Sequence, residues 1–226
     1  MIQEHFDQGS EHDETFPNKW PSDDKLPGFR SFMEQFYKSS ERVSLQLLQA
    51  LEESLKLPRG AFCRNVKEAS ELRVNHYPPI TVEKMRGGSV NRIWPHFDLG
   101  ILTLLWTRGA SGLEFQDRME KDNFIPLQQE SPYELIVNVS ETLQRWTNDA
   151  LPAGLHQVTI PRALRNKDDG VIPERYSIAY FCKADRNALV GTMEHFIDSA
   201  DDAKYENVTA LEYHRARLHD AYEGLK

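Results

Sequence analysis

Apolar positions between Phe29 and Leu57 recur with a helical period. Val43, Leu47, Leu51 and Leu55 fall four residues apart, Leu48 widens the stripe, and polar residues take the opposite face. Pro58 and Gly60 stop the pattern, so it predicts one long amphipathic support helix. From Leu72 the texture changes to short runs rich in β-branched and aromatic residues: Leu72–His76, Leu99–Trp106, Leu113–Gln116, Tyr133–Val139, His156–Ile160 and Tyr176–Phe181. Gly87-Gly88, Arg108-Gly109, Asp149 to Gly154 and Asp168 to Gly170 punctuate them. Many short strands without intervening helices predict a mainly β, double-sheet antiparallel fold. Residues 1–28, rich in Asp, Glu, Pro and Gly, predict an irregular segment with a few apolar anchors. The tail turns helical again from Asn207. Thr209 and Glu212 have capping-box spacing, and Leu211, Arg215, Leu218 and Tyr222 share a face that would pack over the sheet or against a partner.

Composition narrows the class. The 226 residues carry no internal repeat and suit one structural domain with extensions. The segmentation reads as 1–70 for the irregular segment and support helix, 71–185 for the β core and 186–226 for the helical tail. No run is long and apolar enough to span a bilayer. The acidic start lacks the basic and apolar regions of a secretory leader. Two cysteines, Cys63 and Cys182, make no disulfide framework, which predicts a reduced, cytoplasmic protein. A net charge of −8 argues against a nucleic-acid partner, which needs a basic surface. A small anionic ligand would instead need its own local cation.

Three segments offer chemistry. In Trp94-Pro95-His96-Phe97-Asp98-Leu99-Gly100, strand alternation puts His96 and Asp98 on one face, where both can ligate one metal ion, with Phe97 turned away into packing. Alone, the spacing is also that of an ordinary polar pair. His156 opens another strand-like run and supplies a third candidate. Two histidines and a carboxylate match the facial set of non-haem Fe(II), and equally a zinc site with an open position. In Glu174-Arg175-Tyr176-Ser177, Arg175 and Ser177 share a strand face and suit a carboxylate, with a structural salt bridge as the alternative. His76 alternates to the face opposite Tyr77 and falls outside the metal set. His195, His214 and His219 lie in the polar tail and predict solvated side chains.

These segments together resemble the Fe(II)/2-oxoglutarate-dependent oxygenases of the isopenicillin N synthase-like branch, most of all fungal members of natural-product pathways. That family carries His-x-Asp, a distal His and then Arg-x-Ser. Arg73-Val74-Asn75-His76-Tyr77-Pro78-Pro79 looks like its Arg-x-Asn-x-Tyr-Pro-Pro strand, and Asp98-Leu99-Gly100-Ile101-Leu102-Thr103-Leu104-Leu105 like its Asp-x-Gly-x-Leu-Thr-Leu-Leu stretch. Val137-Asn138-Val139 through Thr147-Asn148 looks like its Val-Asn … Thr-Asn block, and the order holds over residues 71–185.

The resemblance implies a double-stranded β-helix, a cupin-like jelly roll, behind the long helix and before the C-terminal one. It implies Fe(II) on His96, Asp98 and His156. Arg175, Ser177 and Tyr77 would meet the distal carboxylate of 2-oxoglutarate, and Asn75 would lie near its metal-binding end. Dioxygen is the further co-substrate. The expected outcome is hydroxylation, desaturation or rearrangement of a small organic molecule, with release of succinate and carbon dioxide, by a monomer or homodimer without nucleic acid or membrane. Trp106 and Phe181 are candidate pocket residues, or plain core aromatics. A relative that does not use 2-oxoglutarate, or a silent binding module, are the alternatives.

The sequence departs from the family at Ser140-Glu141 (usually Gly-Asp), at Gln157 (often Arg), at Ala184 (often Pro) and in a polar insert from Arg162 to Gly170. Family members run to roughly 300 residues, so the chain is expected to be a shortened form with one sheet edge left bare.

Overall fold

The computed structural model describes residues 3–107, 112–127, 131 and 133–223, with side chains through Asp220. The Arg108-Gly109 turn and the side chain of Tyr222 lie outside the described residues.

Two antiparallel sheets form from the runs that alternate in sequence. The major sheet is built of β1 (Glu4–Gly9), β2 (Glu71–Tyr77), β5 (Leu102–Thr107), β8 (Ile136–Val139) and β11 (Arg175–Cys182), in the spatial order β1-β2-β11-β5-β8. The minor sheet has β4 (Ile93–His96), β6 (Leu113–Gln116), β7 (Phe124–Pro126) and β9 (His156–Val158), in the order β4-β9-β6-β7. A short ladder of β3 (Ile80–Thr81) with β10 (Val171–Ile172) completes the strands described. All the pairings are antiparallel, as the strand pattern predicted.

The expected irregular start is corrected at residues 4–9. This stretch pairs with residues 71–76 of β2, and Arg73 forks onto Asp7 at 2.7 Å through both Nε and Nη2. β1 thus covers the edge of β2 and is itself the outer strand of the sheet. Alternation is hard to see in EHFDQG because only Phe6 is apolar; it packs edge-on to Phe29 at 5.2 Å.

The long helix α1 (Phe29–Ser54) starts after Gly28, whose φ of 74° favours glycine. Its buried line is Met33, Tyr37, Ser40, Ser44, Leu48 and Glu52, one position round from the leucine stripe, whose members flank it. The polar members of this line are satisfied locally. Ser40 donates to the Phe36 carbonyl at 2.7 Å, and Glu52 accepts the backbone N–H groups of Gly60 (2.7 Å), Phe62 (2.7 Å) and Cys63 (3.0 Å). A buried carboxylate thus fastens the turn after the helix.

α1 lies on one face of the major sheet, where Leu72, Leu102, Leu104, Tyr180 and Cys182 bury against Met33, Tyr37 and Leu48. Register sends the alternate residues to the other face: Asn75, Tyr77, Thr103, Thr107, Asn138, Arg175 and Ser177. This polar, buried face looks at the minor sheet. Helices do interrupt the strands, contrary to expectation. They are α2 (Val82–Arg86), capped by Thr81, and α3 (Glu141–Trp146), whose Trp146 stacks on Phe62 at 5.8 Å.

The terminal helix α4 (Ala210–Glu223) has the expected box: Glu212 N–H donates to Thr209 Oγ1 at 3.2 Å and Thr209 N–H to Glu212 Oε2 at 2.9 Å. Its packed face is not the Leu211–Leu218 line, since Leu218 is exposed. Tyr213 and Arg217 face inward instead, both onto Glu141 at 2.6 and 3.0 Å. His214, expected to be solvated, is largely covered; burial first, and Lys183 second, push its pKa down to about 4.

Candidate metal centre and anion pocket

The strand β4 ends at His96 and pairs there with His156, the first residue of β9. Asp98 lies two residues beyond the strand, so the three side chains converge from a strand end, a turn and a neighbouring strand. One ligand atom from each lies within 4.8 Å of the others, and the two imidazole centroids are 4.3 Å apart. No other cluster of three such side chains is found among the described residues.

The protonation pattern suits a metal. His96 Nδ1 is 2.9 Å from the Trp94 carbonyl and His156 Nδ1 is 3.1 Å from that of Gly154. A carbonyl only accepts, so each Nδ1 carries a proton and each ring turns its Nε2 to the site. The carboxylate is divided in the same way. Thr103 donates to Asp98 Oδ2 at 2.7 Å and Asn138 Nδ2 at 3.3 Å, while Oδ1 faces both Nε2 atoms at 3.5 and 3.9 Å. Burial alone would raise the Asp98 pKa, but the His96 hydrogen bond, the His156 charge and Thr103 together hold it at about 2. Burial pushes His156 down, whereas Asp98 outweighs burial at His96 and lifts it.

Close packing fixes the distal histidine. Phe115 stacks against His156 at 5.3 Å, and a Cβ on Gly154 would stand 2.3 Å from Asn138 Oδ1. Only glycine lets the chain entering β9 pass the amide that holds Asp98.

The second feature lies at the far end of the same face. Arg175 pairs in register with Tyr77, and Ser177 with Asn75 and Thr107. Arg175 is 3% exposed, its Nη1 donates to Ser177 Oγ at 2.9 Å, and its guanidinium sits over the Tyr77 ring at 5.1 Å. Its Nε has no partner, and no ion pair involves it among the described residues. The salt-bridge alternative for Arg175 therefore finds no carboxylate. Burial lowers its pKa and raises that of Tyr77. An almost fully buried cation with an open donor calls for an anion from outside.

Asn75 is buried on this face and accepts from Gln3 Nε2 at 3.3 Å. His76, on the opposite face, bonds Glu4 and Glu174 away from the cluster. The two pocket candidates part company. Phe181 is on the face of the cluster, opposite Thr103 in register, with Arg73 and Lys183 over its ring. Trp106 is corrected: strand alternation turns it toward α1, where it packs on Phe36 at 4.9 Å. Thr103, Asn138, Thr107 and Arg92 carry weight that the sequence alone did not assign. The first two stand inside recognisable motifs, but what each touches depends on register.

Comparison with known proteins gives a consistent picture. A model of the 2OG-Fe(II) oxygenase superfamily matches residues 69–184. The 2-oxoglutarate-dependent dioxygenase ucsF of an Acremonium species is 51% identical over 97% of this chain and 68% of its own length. The 2-oxoglutarate-dependent dioxygenase ecdK of Aspergillus rugulosus is 44% identical over 97% of this chain and 66% of its own length. Among solved structures, a full-length Neurospora crassa protein crystallised in complex with alpha-KG superposes with a TM-score of 0.86 at 28% identity, covering 98% of this chain and 66% of that one. The chain thus spans about two thirds of the length of the proteins it matches.

Proposed function

The chain belongs to the 2OG-Fe(II) oxygenase superfamily, and from that premise we propose that it oxidises a small organic molecule at the expense of 2-oxoglutarate and dioxygen. His96, Asp98 and His156 hold Fe(II) through Nε2, Oδ1 and Nε2. Arg175, Ser177 and Tyr77 receive the distal carboxylate of 2-oxoglutarate, with Asn75 nearer the metal. The observation that carries this reading is the pairing of a facial ligand set with a buried guanidinium that lacks a counter-ion on the same face.

Bound there, the iron and keto acid supply oxidative decarboxylation to succinate and carbon dioxide, coupled to attack on an unactivated carbon. The chain's own work is to hold and exclude. The Trp94 and Gly154 carbonyls keep both imidazoles in the ligating tautomer, and Thr103 and Asn138 reserve one carboxylate oxygen for the metal. The Arg175 fork aligns a carboxylate without water. The net charge of −8 fits a small-molecule substrate better than nucleic acid, and no described helix is long and apolar enough to cross a membrane. The resemblance to fungal natural-product enzymes makes secondary metabolism part of the proposal, as are a monomeric or homodimeric state and a cytoplasmic location, with which the free thiols Cys63 and Cys182 agree.

The test is anaerobic loading with Fe(II), then oxygen with 2-oxoglutarate, following succinate. Oxygen-dependent succinate that is lost in Arg175→Ala and His156→Ala is the expected result. A chain that binds neither Fe(II) nor 2-oxoglutarate overturns the proposal.

A further inference from the structure

A second cation is buried beside Arg175. Arg92, just before β4, is 3% exposed. Its Nη2 donates to the carbonyls of Pro78, at 3.5 Å, and Pro173. Pro78 follows Tyr77 and Pro173 lies two residues before Arg175, so Arg92 ties together the ends of β2 and β11 where Tyr77 and Arg175 pair. Its Nε has no partner. Among the described residues Arg92 forms no ion pair, and the nearby Arg175 charge adds to burial in lowering its pKa.

Thr107 makes a third open group. It stands opposite Ser177 in the β5–β11 ladder, is buried, and its Oγ1 has no hydrogen-bond partner among the described residues. Two guanidinium Nε atoms and one hydroxyl are thus left open among the described residues, Arg175 and Thr107 on the sheet face and Arg92 beside the end where Tyr77 and Arg175 pair. Each costs stability if it stays unpaired, and two like charges repel. If Arg92 served only to tie two loops, its Nη2 bonds would suffice and the second cation would remain an uncompensated cost. A carboxylate has about four lone-pair sites, more than the Arg175 fork alone fills.

We infer that Arg92 is a second anion-binding residue of this pocket, meeting the distal carboxylate of the keto acid together with Arg175, with the Thr107 hydroxyl as an added contact. This rests on the function proposed above and extends its binding machinery to residues outside the Arg-x-Ser pair.

Calorimetric titration of the full chain, loaded anaerobically with Fe(II), tests it. The ligands are 2-oxoglutarate and 2-oxopentanoate, which has a methyl group in place of the distal carboxylate. Arg92→Gln is expected to weaken 2-oxoglutarate about ten- to hundredfold, the range for a charge-assisted contact, and to leave 2-oxopentanoate within about threefold. The preference for the diacid then falls at least about threefold. Arg92→Lys keeps the charge without the fork and is expected to retain part of the preference. It decides the matter alone if Arg92→Gln does not fold. Equal weakening of both acids assigns Arg92 a purely structural tie, and unchanged affinity for both removes it from the pocket; either result overturns the inference. A wild-type chain with no preference for 2-oxoglutarate would sink the proposed function itself, which keeps the two failures apart.

Discussion

Asp98 shows how a single side chain is split between two tasks. Oδ2 is taken by Thr103 and Asn138, which leaves Oδ1 for the imidazoles. Thr103→Val keeps the shape and removes the donor. It is expected to lower metal affinity by about 10- to 100-fold, as removal of such supporting contacts does, measured by Fe(II) titration. Glu52 is the counterpart in folding. Glu52→Ala leaves one buried and two partly buried N–H groups without their acceptor and is expected to cost about 2–4 kcal/mol in denaturant unfolding. Burial raises the Glu52 pKa, but the backbone donors outweigh it and the net shift is downward. Its contribution is therefore complete above the ordinary value of 4.5 and disappears as pH falls through the lower folded value. The stability gap between wild type and Glu52→Gln should close over that acid range. A gap that persists unchanged at the acid end would show that the charge of Glu52 is not what holds the turn.

At the scale of elements, the departures from the family pattern turn out to be joints. Glu141 fastens α4, through Tyr213 Oη and both ends of the Arg217 fork. The insert from Arg162 to Gly170 is held from two sides. Ile160, Leu164 and Ile172 join a small apolar cluster with Ile80, Val82 and Met85, and Arg165 pairs with buried Glu114. Gln157, where the family often has Arg, also bonds Glu114, at 3.1 Å. Glu114 thus receives an amide from β9 and a guanidinium from the insert. Arg165→Gln is expected to cost about 1–3 kcal/mol, less than a fully buried pair because Arg165 is partly exposed, and to speed proteolysis within residues 162–170. Unchanged proteolysis would mean that the apolar cluster alone holds the insert.

How far these elements can be read from sequence depends on the range of their contacts. The β6 bounds are met to the residue and the α4 capping box is local, so both are legible. The partners of Thr103 and the facing of Trp106 depend on which strands become neighbours, and no local pattern carries that. β1 escapes a sequence reading because it has one inward aromatic and an otherwise polar run. The convergence of His96, Asp98 and His156 is legible because their spacing survives as a motif, whereas Arg92 belongs to no motif.

For the whole molecule, a site rich in open donors makes stability depend on ligands. A co-substrate present at 100 times its Kd adds about 2.7 kcal/mol, and for a chain of this size that raises Tm by about 5–11 °C. Thermal melts with Fe(II) and 2-oxoglutarate, and again after chelation, check this. A melt insensitive to both would mean that neither is bound. The order β1-β2-β11-β5-β8 has a further consequence, for synthesis. The central strand is the last of its sheet in chain order among the described residues, and Ser177 must find Asn75 about a hundred residues back. Until Cys182 has left the ribosome, β1-β2 and β5-β8 are separate ribbons with no shared middle. Such non-local closure is slow. The His96–Asp98–His156 cluster relies on β5 and β8 for its support, so it becomes rigid only once β11 has joined them. Nascent chains arrested before Arg175 should therefore be cut freely by protease and take up no metal, while chains extended well past Cys182 should resist. The order of the strands thus makes metal uptake wait for β11.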